Sequence, residues 1–208
     1  MGISSTVATK PLLSVLGGVA RDPPPVWLMR QAGRFLPEYR AIRAEAGSFM
    51  GLCLDPVRAA EVTLQPVRRF AMDAAILFAD ILVVPYGMGI AIDFREGEGP
   101  VVAPVDPTGP APAYEPNRFR ARVGPVIETV SRVAAALPAA TTLIGFAGGP
   151  WTVATYMVEG ASSREFPRAK AWAFADPEGF DRLIAVLTEA TIDYLSAQIS
   201  AGAEVVQL

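Results

Sequence analysis

Histidine is absent from the 208 residues, and cysteine occurs once, at Cys53. The first absence removes the commonest metal ligand and the commonest general base. Together the two exclude a Ser-His-Asp triad and a zinc site of ordinary composition within this sequence. One thiol cannot form an internal disulfide, which suits a reducing compartment. Cys53 reads as a small buried residue. Lysine is nearly missing as well, with only Lys10 and Lys170 among 18 basic residues. Net charge is −3, so no global basic field invites nucleic acid. No apolar run nears the roughly 18 residues that a membrane span needs. Residues 1–10 lack a basic start followed by a long apolar core, so no export signal is read. The expectation is a cytoplasmic protein with neither a nucleic-acid nor a membrane partner.

What is present is a globular composition, 51% hydrophobic and 19% charged. Four short apolar runs read as buried strands, at 26–29, 74–79, 142–146 and 204–208. None alternates, which is the pattern of a parallel sheet covered on both faces. Helical patterns lie between them. Asp55-Pro56 is a cap followed by proline at the first helical position, opening a helix to about Phe70 with Pro66 as a kink. A second helix spans about 118–137, with Val126, Ile127, Val130, Val133 and Leu137 on one face, and Pro138 closes it. Asp176-Pro177 repeats the start signal, and Gly202 is a natural stop. Alternating strands and helices predict an α/β protein.

Residues 1–20 read as an N-terminal helical segment and 86–116 as a Pro/Gly-rich insertion. Within the insertion, 90–94 and 101–105 around Glu96-Gly97-Glu98-Gly99 suggest a small hairpin. Insertions of this kind over a barrel mouth often shape substrate access. The last apolar run ends the chain, and a buried parallel strand ending there would leave a raw sheet edge. A complete (β/α)₈ barrel takes about 250 residues. The expectation is therefore a single, truncated domain over 1–208 holding about half of such a barrel.

Parallel α/β folds place their sites at the C-terminal ends of strands. Arg30 follows the first run, in Met29-Arg30-Gln31-Ala32-Gly33-Arg34. Asp80 ends the second, ahead of Ile81-Leu82-Val83-Val84, and Gly148-Gly149-Pro150-Trp151-Thr152 follows the third, with Tyr156 one helical turn on. Arg30, Arg34, Arg40 and Arg43 form a local arginine cluster in an acidic chain. Guanidinium pairs bidentately with carboxylate or phosphate, so such a cluster marks an anion site. Plainer readings stand beside these. The arginines serve surface ion pairs, Asp80 caps the next helix, the glycines make a strand-to-helix turn, and Tyr156, Phe146, Trp151 and Trp172 pack.

Taken together, three segments closely resemble the uroporphyrinogen decarboxylase family. The first is Pro25-Val26-Trp27-Leu28-Met29-Arg30-Gln31-Ala32-Gly33-Arg34-Phe35-Leu36-Pro37-Glu38-Tyr39. The second is Leu64-Gln65-Pro66-Val67-Arg68-Arg69-Phe70 with Asp73 through Leu82. The third is Ile144-Gly145-Phe146-Ala147-Gly148-Gly149-Pro150-Trp151-Thr152 with Tyr156-Met157-Val158-Glu159-Gly160. The resemblance covers about 25–208. It implies a (β/α)₈ TIM barrel, commonly a homodimer when full length. It also implies stepwise decarboxylation of the four acetate chains of uroporphyrinogen III to methyls, with no cofactor and no metal.

The resemblance further implies roles. Asp80 would accept hydrogen bonds from the pyrrole N–H groups. Arg30 and Arg34 would hold substrate carboxylates, with Arg30 also a candidate proton donor. Gln31, Ala32 and Gly33 would form the backbone wall between them, Phe146 would line the pocket, and Tyr156 would put its hydroxyl near the reacting acetate. The catalytic set is then Asp80, Arg30 and Tyr156. The family's later serine and its C-terminal histidine have no counterpart in these 208 residues. Two alternatives are a related cobamide- or corrinoid-dependent methyltransferase on the same barrel, and a porphyrinogen-binding fragment without turnover.

Overall fold

The computed structural model describes residues 10–28, 34–95 and 99–208. In chain order these form α1 (Pro11–Leu16), α2 (Pro37–Glu45), α3 (Phe49–Cys53), α4 (Pro56–Phe70), β1 (Ala74–Ile76), α5 (Val83–Gly87), β2 (Ile92–Arg95) and β3 (Gly99–Val102). They continue with α6 (Pro116–Ala136), β4 (Thr142–Phe146), α7 (Pro150–Glu159), α8 (Pro167–Ala175), α9 (Pro177–Ser200) and β5 (Val205–Gln207).

Among the described residues, every helix of 6 residues or more begins at a proline. Proline suits that place because its fixed φ is helical and its missing N–H would be unpaired there anyway. Two of these starts carry the expected aspartate cap. Asp55 accepts from the Val57 and Arg58 N–H groups at 3.1 and 3.0 Å, and Asp176 accepts from the Gly179 N–H at 2.9 Å. At the other end of α9, Gly202 takes a φ of 118°, a left-handed turn that an L side chain resists.

The parallel sheet runs β1-β4-β5, with Ile76 beside Ile144 and Ile144 beside Val205. Its two faces differ. Leu77, Leu143 and Ala147 pack into a buried layer with Val126, Val130 and Val133 of α6 and Leu183, Leu187 and Tyr194 of α9. Ala74, Ile76 and Ile144 point the other way and are covered by Leu12 of α1, with Trp27, Phe146 and Val205 alongside. A doubly wound sheet carries helices on both faces, whereas a barrel carries them on the outside only. The arrangement is thus a sector of a (β/α)₈ barrel, with helices outside and α1 closing the N-terminal end of the interior. Lys10 secures that closure, donating to the Thr141 carbonyl at 3.0 Å and pairing with Glu204 at 2.5 Å. On the outside, Asp193 of α9 accepts from the Tyr114 hydroxyl at 2.6 Å and from Arg120 Nε at 2.9 Å, tying α6 and its leading loop to α9.

The four expected strands become three in the sheet among the described residues. Residues 26–28 form no strand. Val26 instead exchanges two bonds with Asp73, donating to its carboxylate at 2.8 Å and accepting from its N–H at 3.0 Å. The chain therefore lies beside the head of β1 without building a ladder, and residue 29 falls outside the described set. The run at 74–79 pairs as a strand only to Ile76. Between α5 and α6, β2 and β3 form an antiparallel hairpin, with Phe94 opposite Pro100 and Arg95 opposite Gly99. No helix of the described residues is long and apolar enough to cross a membrane.

Candidate active site

The chain leaving β1 is steered by one hydroxyl. Thr63 of α4 donates to the Ala59 carbonyl at 2.7 Å and accepts from the Phe78 N–H at 3.0 Å. That bond takes Phe78 out of the sheet and delivers Asp80 to the C-terminal rim. There Asp80 Oδ1 accepts from the Leu82 N–H at 2.9 Å, and its carbonyl accepts from the Val83 N–H at 3.2 Å. Asp80 thus makes a turn ahead of the 5-residue α5 and does not cap it, since the N-cap is Leu82 with no side-chain bond. The same residue also lines a cleft of about 920 Å³.

Three other parts of the fold form that cleft. From the segment 34–49 come Arg34, Tyr39, Arg40, Arg43 and Phe49; from the hairpin, Phe94, Arg95, Gly99 and Pro100; from β4 and α7, Phe146 and Tyr156. Aromatic rings make its floor. Phe78 lies 5.9 Å from Tyr39 and 5.8 Å from Phe49, and Phe49 lies 4.7 Å from Phe94, centroid to centroid. The Arg34 guanidinium stands 5.5 Å from the Phe49 ring centre, a cation–π contact. Arg40 donates to the Phe35 carbonyl at 2.8 Å and Arg43 to the Gly47 carbonyl at 3.4 Å. Nearby ion pairs join Arg58 with Asp55 and Glu45 and Arg69 with Glu38, and Arg95 stands 3.9 Å from Asp93. Four arginines and Asp80 line the same cleft, a field suited to a polyanion.

Two neutral groups lie beneath. Burial pushes the Cys53 thiol up, Asp80 adds to the shift, and Arg34 and Arg43 oppose it. Burial also raises the Tyr39 phenol against the same two arginines. Both side chains therefore stay protonated at neutral pH, and neither is an activated nucleophile. Among the described residues no group of three or more His, Cys, Asp or Glu could hold a metal.

Phe146 is held from behind. Gln198 of α9 is fully buried, and its amide accepts from the Phe146 N–H at 3.0 Å and donates to the Phe146 carbonyl at 2.9 Å. Gly145 leaves the room, since a Cβ there would meet Gln198 Oε1 at 2.5 Å. Gln198→Leu strands both main-chain groups of Phe146. The expected loss is about 2 kcal/mol of unfolding free energy, read by urea denaturation, and an unchanged midpoint contradicts it.

Of the residues singled out in the sequence, Arg34, Asp80, Phe146 and Tyr156 meet in this cleft. Arg30, Gln31, Ala32 and Gly33 lie outside the described residues. Arg40 and Arg43 were visible as part of an arginine cluster but not as cleft residues. Tyr39, Phe49, Phe94 and Arg95 were missed. Proximity to the arginine cluster was the only signal for the first two, and the Pro/Gly-rich insertion for the others.

Comparison with known proteins gives this geometry its context. The family model described as Uroporphyrinogen decarboxylase (URO-D) matches residues 8–208. A uroporphyrinogen decarboxylase of Rhodospirillum rubrum is 58% identical over 199 residues, covering 96% of this chain and 57% of that protein. One from Granulibacter bethesdensis is 57% identical, covering 96% and 59%. A solved structure, a methyltransferase from Methanosarcina mazei, superposes with a TM-score of 0.73 at 22% identity, over 96% of this chain and 58% of that one. That likeness concerns the fold alone. The chain spans a little over half the length of the curated relatives it matches. On the family model and these relatives, the chain belongs to the uroporphyrinogen decarboxylase family.

Proposed function

We propose that this chain carries the first-half active-site residues of a uroporphyrinogen decarboxylase, which converts the four acetate chains of uroporphyrinogen III to methyls and yields coproporphyrinogen III. One observation carries the reading. Asp80 sits in a cleft of about 920 Å³ that Arg34, Arg40, Arg43 and Arg95 also line. Small-molecule sites commonly measure about 300–1,000 Å³. A substrate with eight carboxylates around four pyrrole N–H groups needs cations at its edge and an acceptor at its centre. In this reading the chain is one partial-barrel domain, and the complete enzyme is a homodimer.

The reaction needs an electron sink, and the pyrrole ring supplies one when protonated. A proton adds to the ring α-carbon next to the carbon that bears the acetate, leaving the latter conjugated with the ring cation. The bond from the acetate methylene to its carboxylate then breaks, CO₂ leaves, and the electron pair neutralises the ring cation. Protonation of the exocyclic carbon and loss of the ring proton complete a methylpyrrole. Asp80, fixed and negative, stabilises the cationic intermediate. Arg34, with Arg30, holds the carboxylates in place. Tyr156 presents its hydroxyl near the reacting acetate. Arginine is a poor acid at its ordinary pKa, so Arg30 serves better as a carboxylate anchor than as the proton donor.

Anaerobic incubation of the complete enzyme with uroporphyrinogen III, in the presence of a chelator, tests the proposal. Successive hepta-, hexa- and pentacarboxylate intermediates leading to coproporphyrinogen are expected. Unchanged substrate contradicts it. The purified 208-residue chain, assayed alongside, is expected to bind without efficient turnover.

A further inference from the structure

The β2–β3 hairpin is anchored on both banks of the cleft. On one side Phe94 packs on Phe49 of α3, centroids 4.7 Å apart. On the other, the Val102 N–H donates to the Gly160 carbonyl and the Val105 N–H to the Met157 carbonyl, both at 2.8 Å, and Val101 bridges Ala161. Met157 and Gly160 belong to the end of α7, the helix that carries Tyr156. The hairpin is thereby braced between two elements that line the cleft.

Arg95 ends β2 on this brace. Its cross-strand neighbour is Gly99, which offers no side chain to cover it. Its guanidinium Nε lies 3.9 Å from Asp93 Oδ2, and the two side chains are 60% and 72% exposed. An exposed pair at that distance contributes little. Arg95 lines the cleft together with Arg34, Arg40 and Arg43, yet it comes from a different wall.

We infer that Arg95 is a substrate-binding residue that grips a peripheral carboxylate of the polycarboxylated tetrapyrrole from the hairpin wall. The inference rests on the proposed function. Because the hairpin is braced, the backbone that carries the guanidinium is already in place before binding. Its planar fork suits a carboxylate in two-point contact, and the pair strengthens as substrate displaces water from the cleft. Arginines on two walls also favour a ligand with carboxylates around its whole rim over one charged along a single edge.

Steady-state kinetics of the complete enzyme with uroporphyrinogen III test this. Arg95→Ala is expected to lower kcat/KM about 10-fold, the loss of one charge-assisted hydrogen-bonded contact, with the change carried by KM. Arg95→Lys recovers part of it. The gap between wild type and Arg95→Ala narrows as salt rises, because the lost contact is electrostatic. Arg95 is exposed, so the fold tolerates both substitutions, and matched thermal melts check this. Arg34→Ala is the control for the underlying reading. If Arg34→Ala raises KM while Arg95→Ala leaves it at the wild-type value, the hairpin contact is refuted and the cleft assignment stands. If the wild type turns over no uroporphyrinogen, the functional reading falls and the inference falls with it.

Discussion

Asp80→Asn lowers kcat of the complete enzyme by about 10²–10³-fold, the range seen when a fixed group that stabilises developing charge is removed. Asparagine keeps the size and shape of the side chain. Its Oδ1 still accepts the Leu82 N–H bond that aspartate accepts at 2.9 Å, so the turn into α5 survives. The negative charge and one acceptor oxygen are lost. The substitution therefore separates the two duties of Asp80, holding the turn ahead of α5 and facing the cleft. The thermal midpoint should stay near wild type while turnover collapses. Turnover within a few-fold of wild type would leave Asp80 a structural residue and remove it from the chemistry.

The second large effect lies where two cleft elements touch. A Cβ on Gly148 would meet Ile81 Cβ and Val153 Cγ2, each at 2.8 Å. Ile81 follows Asp80 directly, and Val153 sits in α7, the helix that carries Tyr156. Gly148→Val cannot fit without pushing the Asp80 turn and α7 apart. Overpacking of this kind costs about 3 kcal/mol, or roughly 10 °C in Tm for a chain of this size. Gly149 is the comparison, because a Cβ there meets nothing within 4 Å and its φ is −59°. Gly149→Ala should stay within about 1 kcal/mol of wild type, as a slightly poorer cap offsets a stiffer unfolded chain. Equal melting temperatures for the two variants would contradict the packing described between Ile81 and Val153.

The contrast between Gly148 and Gly149 shows what the sequence could and could not disclose. Both glycines read as one strand-to-helix turn, and only tertiary packing separates the crowded one from the open one. Signals contained within a few residues were legible. Asp55-Pro56 and Asp176-Pro177 announce α4 and α9 because an aspartate cap and a first-turn proline are local chemistry. The apolar run at 142–146 is strand β4 over its whole length. The run at 74–79 reads longer than β1 because Thr63, 15 residues before Phe78, captures the Phe78 N–H. The short helices α2, α3 and α5, of 9, 5 and 5 residues, give too few turns for apolar periodicity to register.

The cleft divides in the same way. Arg34, Asp80, Phe146 and Tyr156 stand within motifs that read as strand ends and their turns. Tyr39, Phe49, Phe94 and Arg95 reach it from α2, α3 and the hairpin. What joins them is an aromatic floor, Phe94 on Phe49 on Phe78 on Tyr39, whose members are far apart in sequence. No local pattern announces a stack assembled from three elements.

A crystal structure of the complete protein with coproporphyrinogen, the proposed product, puts the whole account to the test. The expected result is a ligand in the cleft above β1 and β4, its pyrrole N–H groups within hydrogen-bonding distance of Asp80 and its carboxylates on the surrounding arginines. A tetrapyrrole seated elsewhere on the barrel, out of reach of Asp80, would contradict it.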